Sequence, residues 1–370
     1  MSSQKEIVVF APLFRKLPVE GYGAVERVTI SRIKFLQKAG FKVQLVANTL
    51  KTDLADSVIS INYKKKFPAT AIKSAYWFGS LRWTRYVNLF IKIRREIWNS
   101  PILCDGGAED PFNDYLLAKS FGISRVIFFL HGNFYITNGV GHLIFEPLDR
   151  LSRISYKMNY GALNTHLNSY LLRKGFKSAF TPNGIEFPEL SEINQEASEY
   201  LMFIGGINPN KAPHLAIKLA RNLNANLEIV GPIQNISYFN EKIRPYINDK
   251  IVYRGELPNK ELVTLLKSCK ALLFTSQWND PQPTVILESL SLGVPVLSLT
   301  PGYYSGVFDM VENNKTGFLG TFEELISSYN SLSELSRKDV YKYAREKWEW
   351  GTIIKNFHKP VIEKLSINDE

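Results

Sequence analysis

The sequence predicts an α/β chain built from two doubly wound domains, and three observations carry that prediction. Short β-branched apolar runs alternate with helix-like stretches along most of the chain, the order that builds parallel sheets covered by helices. A segment from Phe187 to Ser198, with Pro188, several glutamates and no apolar period, interrupts the alternation near the middle. The 370 residues also exceed the roughly 250–300 at which a single hydrophobic core stops growing.

Each element follows in order. IVVFAP (7–12) is a buried strand, a polar loop (13–23) leads into a helix from Ala24 to Ala39, and Gly40 stops it. KVQLVAN (42–48) completes a strand–helix–strand unit. RVIFFLHG (125–132) is a further strand ending at a His-Gly pair, and AFTP (179–182) runs into the turn Asn183-Gly184. Beyond the linker, LMFIGGI (201–207), LEIVGPI (227–233), IVYRGEL (251–257), ALLFTSQ (271–277) and PVLSL (295–299) are strands. Helices separate them over 211–223, near 238–247, in KELVTLLKSCK and in TVILESLSLG, and two more close the half near 321–333 and 336–349. In open parallel sheets ligands sit beyond the carboxyl ends of strands, so the loops after strands are where chemistry is sought.

Composition narrows the class. With 45% hydrophobic and 13% aromatic residues, the chain can bury substantial cores, which excludes global disorder. Two widely separated cysteines, Cys104 and Cys269, argue against a disulfide framework or a thiolate zinc site and fit a cytoplasmic setting. The first apolar run is too short for a signal peptide, and no window of about 18 apolar residues suggests a membrane span. The net charge of +10 is uneven: residues 1–185 carry +14 and residues 186–370 carry −4. A basic front half favours an anionic partner such as phosphate, nucleic acid or a lipid surface.

Four loops carry candidate chemistry. Gly21-Tyr22-Gly23-Ala24-Val25-Glu26-Arg27 resembles the start of a dinucleotide fingerprint, but Glu26 occupies the third glycine position, which excludes NAD binding. Gly21 and Gly23 remain readable either as close backbone approach to an anion or as a turn needing positive φ. His131-Gly132 closes a strand, where the imidazole either meets a substrate hydroxyl or is structural. Gly205-Gly206-Ile207-Asn208-Pro209-Asn210-Lys211 offers close backbone approach and a cation suited to phosphate, or an ordinary turn with a solvated lysine. In the fourth, Trp278 to Thr284 leads into Val285-Ile286-Leu287-Glu288, with Pro283 suited to a first helical turn. Asp280 and Glu288 then flank a helix N-terminus, which holds an anion while the carboxylates accept from sugar hydroxyls. The bland alternative makes Asp280 a cap and Glu288 surface charge.

Together these motifs resemble the GT-B glycosyltransferases, specifically the large retaining group that includes glycogen and sucrose synthases, family 4 of the usual classification. Its hallmark is an acid, seven residues, then glutamate, matched by Asp280 to Glu288 and followed by Gly293-Val294-Pro295-Val296. Gly205 to His214 resembles the family's Gly-Arg-x-x-x-x-Lys-Gly loop, and Val252 to Leu257 its Gly-centred strand. Thr181 to Glu186 resembles its Pro-Asn-Gly segment, and Gly21 to Arg27 its N-terminal glycine loop. Two departures stand out. Gly206 replaces the donor-loop arginine, and Asp280 replaces the usual glutamate; the donor is then unusual, or Arg254 or Arg15 compensates, or activity is reduced.

The resemblance implies two Rossmann-like domains facing a central cleft. Residues 1–186 form the acceptor side, joined by a C-terminal helix over 350–370, and residues 187–349 bind the nucleotide-sugar donor. It implies transfer of a sugar from a nucleoside-diphosphate sugar to an acceptor hydroxyl with retention, without metal or bound cofactor. Lys211 is assigned to the diphosphate, Asp280 to the donor sugar, and His131 to the transferred sugar. Glu288 is assigned to the ribose, with Gly205, Gly206, Pro283, Thr284, Val285, Gly21 and Gly23 lining the donor. The acceptor is a carbohydrate, a glycolipid or a small molecule. The rivals are a GT-B-like sugar- or nucleotide-binding protein with impaired turnover, and a nucleotide-sugar epimerase.

A basic stretch over 76–98 puts Leu81, Tyr86, Leu89, Phe90, Ile93 and Ile97 on one helical face and Arg85, Lys92 and Arg95 opposite, with Lys64-Lys65-Lys66 upstream. It reads either as a core-facing helix or as one lying on an anionic membrane. The expected location is cytoplasmic, with peripheral attachment to the cytoplasmic membrane face as the second placement. No nucleic-acid motif appears, so no nucleic-acid partner is expected.

Overall fold

The computed structural model describes residues 5–12, 16–19, 23–60, 100–105, 125–131, 159–196, 198–301 and 305–367. Gly21, Arg15, Gly132, the Lys64–Lys66 run and the 76–98 stretch lie outside the described residues. The chain divides into two compact units. One comprises Met1–Leu163, Leu167–Asn183 and Ile353–Glu370, the other Asn164–His166 and Gly184–Thr352.

The first unit holds seven strands: β1 (Glu6–Phe10), β2 (Lys42–Ala47), β3 (Ser57–Ser60), β4 (Ile102–Cys104), β5 (Val126–Phe129), β6 (Asn159–Ala162) and β7 (Lys177–Phe180). They pair in parallel in the order β3-β2-β1-β4-β5-β6-β7. β4 and β5 are buried throughout, as strands covered on both faces must be. The helix Ala24–Lys38 follows β1 and buries Val28, Ile33 and Leu36 together with the polar Thr29 and Arg32. The last part of the chain packs here: Phe357 stands edge-on to Phe180, and the buried His358 stacks on Phe129 and donates from Nε2 to the Pro182 carbonyl at 2.8 Å.

The second unit holds β8 (Tyr200–Ile204), β9 (Asn226–Val230), β10 (Ile251–Gly255), β11 (Ala271–Phe274), β12 (Val296–Leu299) and β13 (Gly317–Gly320), all parallel, in the order β10-β9-β8-β11-β12-β13. Helices Pro213–Asn222, Ile236–Lys242, Asn259–Ser268 and Thr284–Ser291 connect successive strands. The core joins Leu201, Phe203, Ile229, Leu273 and Leu297 from the strands to Ala216, Ile217 and Ala220 from the helix Pro213–Asn222. Pro213 at the start of that helix loses nothing by lacking an N–H, since first-turn amides have no intrahelical acceptor.

β3, β4, β6 and β13 are absent from the sequence reading. Each has only three or four residues, too few for a period of two to declare itself, and β6 and β13 contain glycine. Apart from 295–299, which ends at Leu299 as expected, the expected strands end one to three residues earlier than the apolar runs suggest. The predicted helix near 321–333 is Phe322–Ser328 followed by a 3₁₀ turn, Asn330–Glu334.

Candidate functional site

The second sheet reverses strand order between β8 and β11, and a parallel sheet opens its ligand crevice at such a switch, beyond the carboxyl ends. The loop after β8 carries Gly205, Gly206 and Lys211; the loop after β11 carries Asp280. The structure brings these together: Lys211 Nζ donates to Asp280 Oδ2 at 2.6 Å, with the side chains 25% and 18% exposed. The loops are also joined through their backbones, Gln277 N–H donating to the Asn210 carbonyl at 2.8 Å.

Local hydrogen bonds hold each member. Lys211 N–H donates to Asn208 Oδ1 at 2.9 Å, and the Asn208 amide donates to Gln234 Oε1 at 2.6 Å. Ala212 then turns the chain through the left-handed region, φ 51 and ψ 49, which a residue with a Cβ rarely adopts. Thr275 Oγ1 holds that turn by donating to the Ala212 carbonyl at 3.0 Å. Strained backbone of this kind concentrates where loops are shaped around a ligand. On the other side, Gly306 N–H and the Ser305 hydroxyl donate to the Asp280 carbonyl at 2.9 and 3.1 Å.

Downstream of Asp280, Pro283 is the residue before the first helical turn, its backbone extended, and the helix runs Thr284–Ser291. Thr284 and Val285 form the first turn, and Glu288 lies one turn further, half-buried. Amides of a first turn point out of the helix and carry a partial positive charge. The unit thus presents an ammonium group, a carboxylate and a helix N-terminus on two joined loops. A diphosphate suits the ammonium and the amides, and hydroxyls suit the carboxylate.

Gly206 is buried, and a Cβ there would fall 2.3 Å from Gln234 Oε1. The exposed Gln234 amide therefore takes the space that a side chain at 206 would enter. Arg254, one candidate replacement for the missing arginine, forks onto Glu228 with contacts of 2.6 and 2.9 Å. Gly23 owes its place to space and not to φ: its backbone is extended at φ −178, and a Cβ would meet Val19 at 2.6 Å.

In the first unit the strand order reverses between β1 and β4, and there the structure shows a cluster that sequence reasoning missed. Asp105, directly after β4, is fully buried. Its Oδ1 accepts from Arg32 Nη1 at 2.6 Å and from His131 Nε2 at 2.7 Å, and its Oδ2 accepts from the Thr29 hydroxyl at 2.7 Å. Arg32 Nη2 also donates to Asn183 Oδ1 at 3.1 Å, and its guanidinium lies 4.1 Å from the centre of the Phe129 ring. Burial pushes the Asp105 carboxyl up, but the Arg32 charge and the His131 hydrogen bond outweigh it and hold the group below the ordinary carboxylate range. His131 is 3% exposed at its side chain and is committed to Asp105 through Nε2. The signal in the sequence was faint: an acid at the end of ILC, and two polar residues three apart on the buried face of a helix.

Residues 187–347 match the family described as Glycosyl transferases group 1. The match covers less than half of the chain. A stretch of the chain is 26% identical over 163 residues to the GalNAc-α-(1→4)-GalNAc-α-(1→3)-diNAcBac-PP-undecaprenol α-1,4-N-acetyl-D-galactosaminyltransferase of Campylobacter jejuni, covering 41% of this chain and 44% of that one. The matching stretches span less than half the length of the curated relatives. Sucrose-phosphate synthase from Thermosynechococcus elongatus superimposes with a TM-score of 0.71 at 14% identity, covering 98% of this chain and 99% of that one. HepE of Anabaena, solved with UDP and glucose, does so with a TM-score of 0.68 at 13% identity and the same coverage. The fold is GT-B, with two Rossmann-like α/β domains. Among the described residues, no helix is long and apolar enough to cross a membrane.

Proposed function

We propose that the chain is a retaining, metal-independent glycosyltransferase that moves a sugar from a nucleoside-diphosphate sugar to an acceptor hydroxyl. The observation that carries this reading is the Lys211–Asp280 pair on the two switch-point loops, beside the N-terminus of the helix Thr284–Ser291, within the matched domain. In the reaction, the bond from the anomeric carbon to the diphosphate oxygen breaks and a bond to the acceptor oxygen forms. The acceptor's hydroxyl proton ends on the released nucleoside diphosphate or in solvent. Negative charge therefore grows on the leaving diphosphate, and preorganised donors at that point lower the barrier.

We assign Lys211 and the amides of Thr284 and Val285 to the diphosphate, with Gly205, Gly206 and Pro283 lining it. Asp280 holds the donor sugar and Glu288 the ribose hydroxyls. His131, with Gly21 and Gly23, is assigned to the transferred sugar and the acceptor side in the first unit. The acceptor is a carbohydrate, a glycolipid or a small molecule, and the location is cytoplasmic, with attachment to an anionic membrane face as the second placement. HepE with UDP and glucose supports a uridine nucleotide as the first donor to try.

A thermal-shift panel of nucleotide sugars, followed by product analysis with the hits, tests the reading. Lys211→Ala and Glu288→Ala are each expected to lower donor turnover by about 10²–10³, the loss typical of removing one preorganised donor to a developing anion. Near-wild-type transfer by both variants would remove the assignment. Binding of a nucleotide sugar with neither transfer nor hydrolysis would favour the impaired, binding-only alternative that Gly206 suggests.

A further inference from the structure

The geometry points to Asp105 as a positioning residue that fixes which nitrogen of His131 faces a substrate. It rests on the reading above in one respect, that His131 meets a hydroxyl of the substrate. A neutral imidazole has one donor nitrogen and one acceptor nitrogen, and the partner of one decides the role of the other. Asp105 is ionised and so can only accept. In the neutral ring, His131 Nε2, 2.7 Å from Asp105 Oδ1, therefore carries the hydrogen, which leaves Nδ1 as the acceptor.

The carboxylate that imposes this is itself immobilised. Arg32 holds Oδ1, Thr29 holds Oδ2, and the Asp105 backbone N–H donates to the Phe10 carbonyl at 2.8 Å, on the neighbouring strand. Arg32 and Thr29 come from one buried helix face, and Asn183 and Phe129 fix the guanidinium in turn. With both oxygens engaged, the carboxylate has no second orientation in which His131 could find a different partner. The ring is thus set as an acceptor of hydrogen bonds, suited to orienting a sugar hydroxyl by taking its proton in a hydrogen bond. A reversed tautomer would present N–H at the same place and repel that donor.

The test reads the tautomer directly. Long-range ¹H–¹⁵N spectra of the full chain with labelled histidine, assigned through His131→Gln among the five histidines, are expected to show His131 as a single Nε2–H tautomer. An Nδ1–H form or averaged tautomers would overturn the proposal. Asp105→Asn can turn its amide N–H₂ toward the ring and so invert the tautomer, but it strands Arg32; the double variant Asp105→Asn with Arg32→Met removes both charges together. In whichever of these folds, the Nε2–H signature should be lost. kcat should fall about 10- to 100-fold with little change in the KM for donor, the scale seen when a partner that orients a histidine is removed. An unchanged tautomer in these variants would also overturn it. If the wild-type chain transfers no sugar, the proposed function fails while the spectra still decide the tautomer.

Discussion

Two ion pairs stand at corresponding places in the two units and do different work. In each sheet the strands run outward from the first, β1 or β8, for two more strands and then resume on its other side, across a switch point, at β4 or β11. In each, the cation comes from the segment after the first strand, Arg32 or Lys211, and the acid follows the strand across the switch, Asp105 or Asp280. The Arg32–Asp105 pair is fully buried, whereas Lys211–Asp280 is partly open to solvent. The same topology delivers both pairs; burial decides whether a ligand can replace one partner. Arginine suits the closed site, where its fork reaches Asp105 and Asn183 together. Lysine suits the open one, where, on the proposed function, a mobile ammonium leaves its carboxylate for a phosphate.

The sharpest way to break this comparison is to remove one cation at a time. Arg32→Met leaves Asp105 charged in the core without its main partner and is expected to destabilise the first unit by about 3–5 kcal/mol. Lys211→Met removes a partly exposed pair and is expected to change stability by about 0–1 kcal/mol. Denaturant unfolding of the two variants side by side measures the difference. Equal losses would mean that the second pair is as structural as the first, and its role as a ligand site would go with it.

The contrast also explains what could be read in advance. The positions of Lys211 and Asp280 in loops after strands, and of Glu288 in the helix that follows the second loop, could be read from the strand–helix alternation. Asp105 could not be read, because β4 has three residues and its partners look like ordinary polar positions on the helix Ala24–Lys38. A buried network is assembled by residues distant in sequence: Asp105 meets Thr29, Arg32 and His131, and no local pattern records such a meeting. The second unit was read nearly completely because its strands alternate with clear helices; β13, with glycine at both ends, was missed. In the first unit β4 was lost for want of length, β3 because serine stands at both its ends, and β6 because Asn159 and Gly161 interrupt any apolar run.

A smaller effect separates the units by pH. His358 is buried, and burial, then the nearby Arg32 charge, push its imidazole down to about 3. In the unfolded chain it titrates near ~6.5. Between these values the unfolded state binds a proton that the folded state does not, so the contribution to stability is full above about 6.5 and is lost as the pH falls. The slope approaches about 1.4 kcal/mol per pH unit for this one group. Asp105 adds a loss of the same sign at lower pH, because its folded carboxyl lies below its unfolded value. His358→Gln should flatten the fall between pH 6.5 and 5 in urea titrations of the first unit's transition. A variant with the wild-type slope would show that His358 is not kept neutral by its surroundings.

The smallest effect probes the open pair from its acidic side. In the free protein Asp280 neutralises Lys211, and a diphosphate must compete with that carboxylate for the ammonium. Asp280→Asn removes the competitor and also a negative charge that repels phosphate, while keeping the side-chain volume. A partly exposed pair is worth about 0.2–1 kcal/mol, so a nucleoside diphosphate without sugar should bind about 1.4- to 5-fold more tightly to the variant, measured by calorimetry. Turnover of the complete nucleotide sugar should fall in the same protein, because the carboxylate assigned to the sugar is gone. The two opposite changes distinguish a pair that opens for its ligand from one that merely braces two loops. Weaker binding of the nucleoside diphosphate would place Lys211 under the control of Asp280 for structure alone, and the open pair would then resemble the buried one after all.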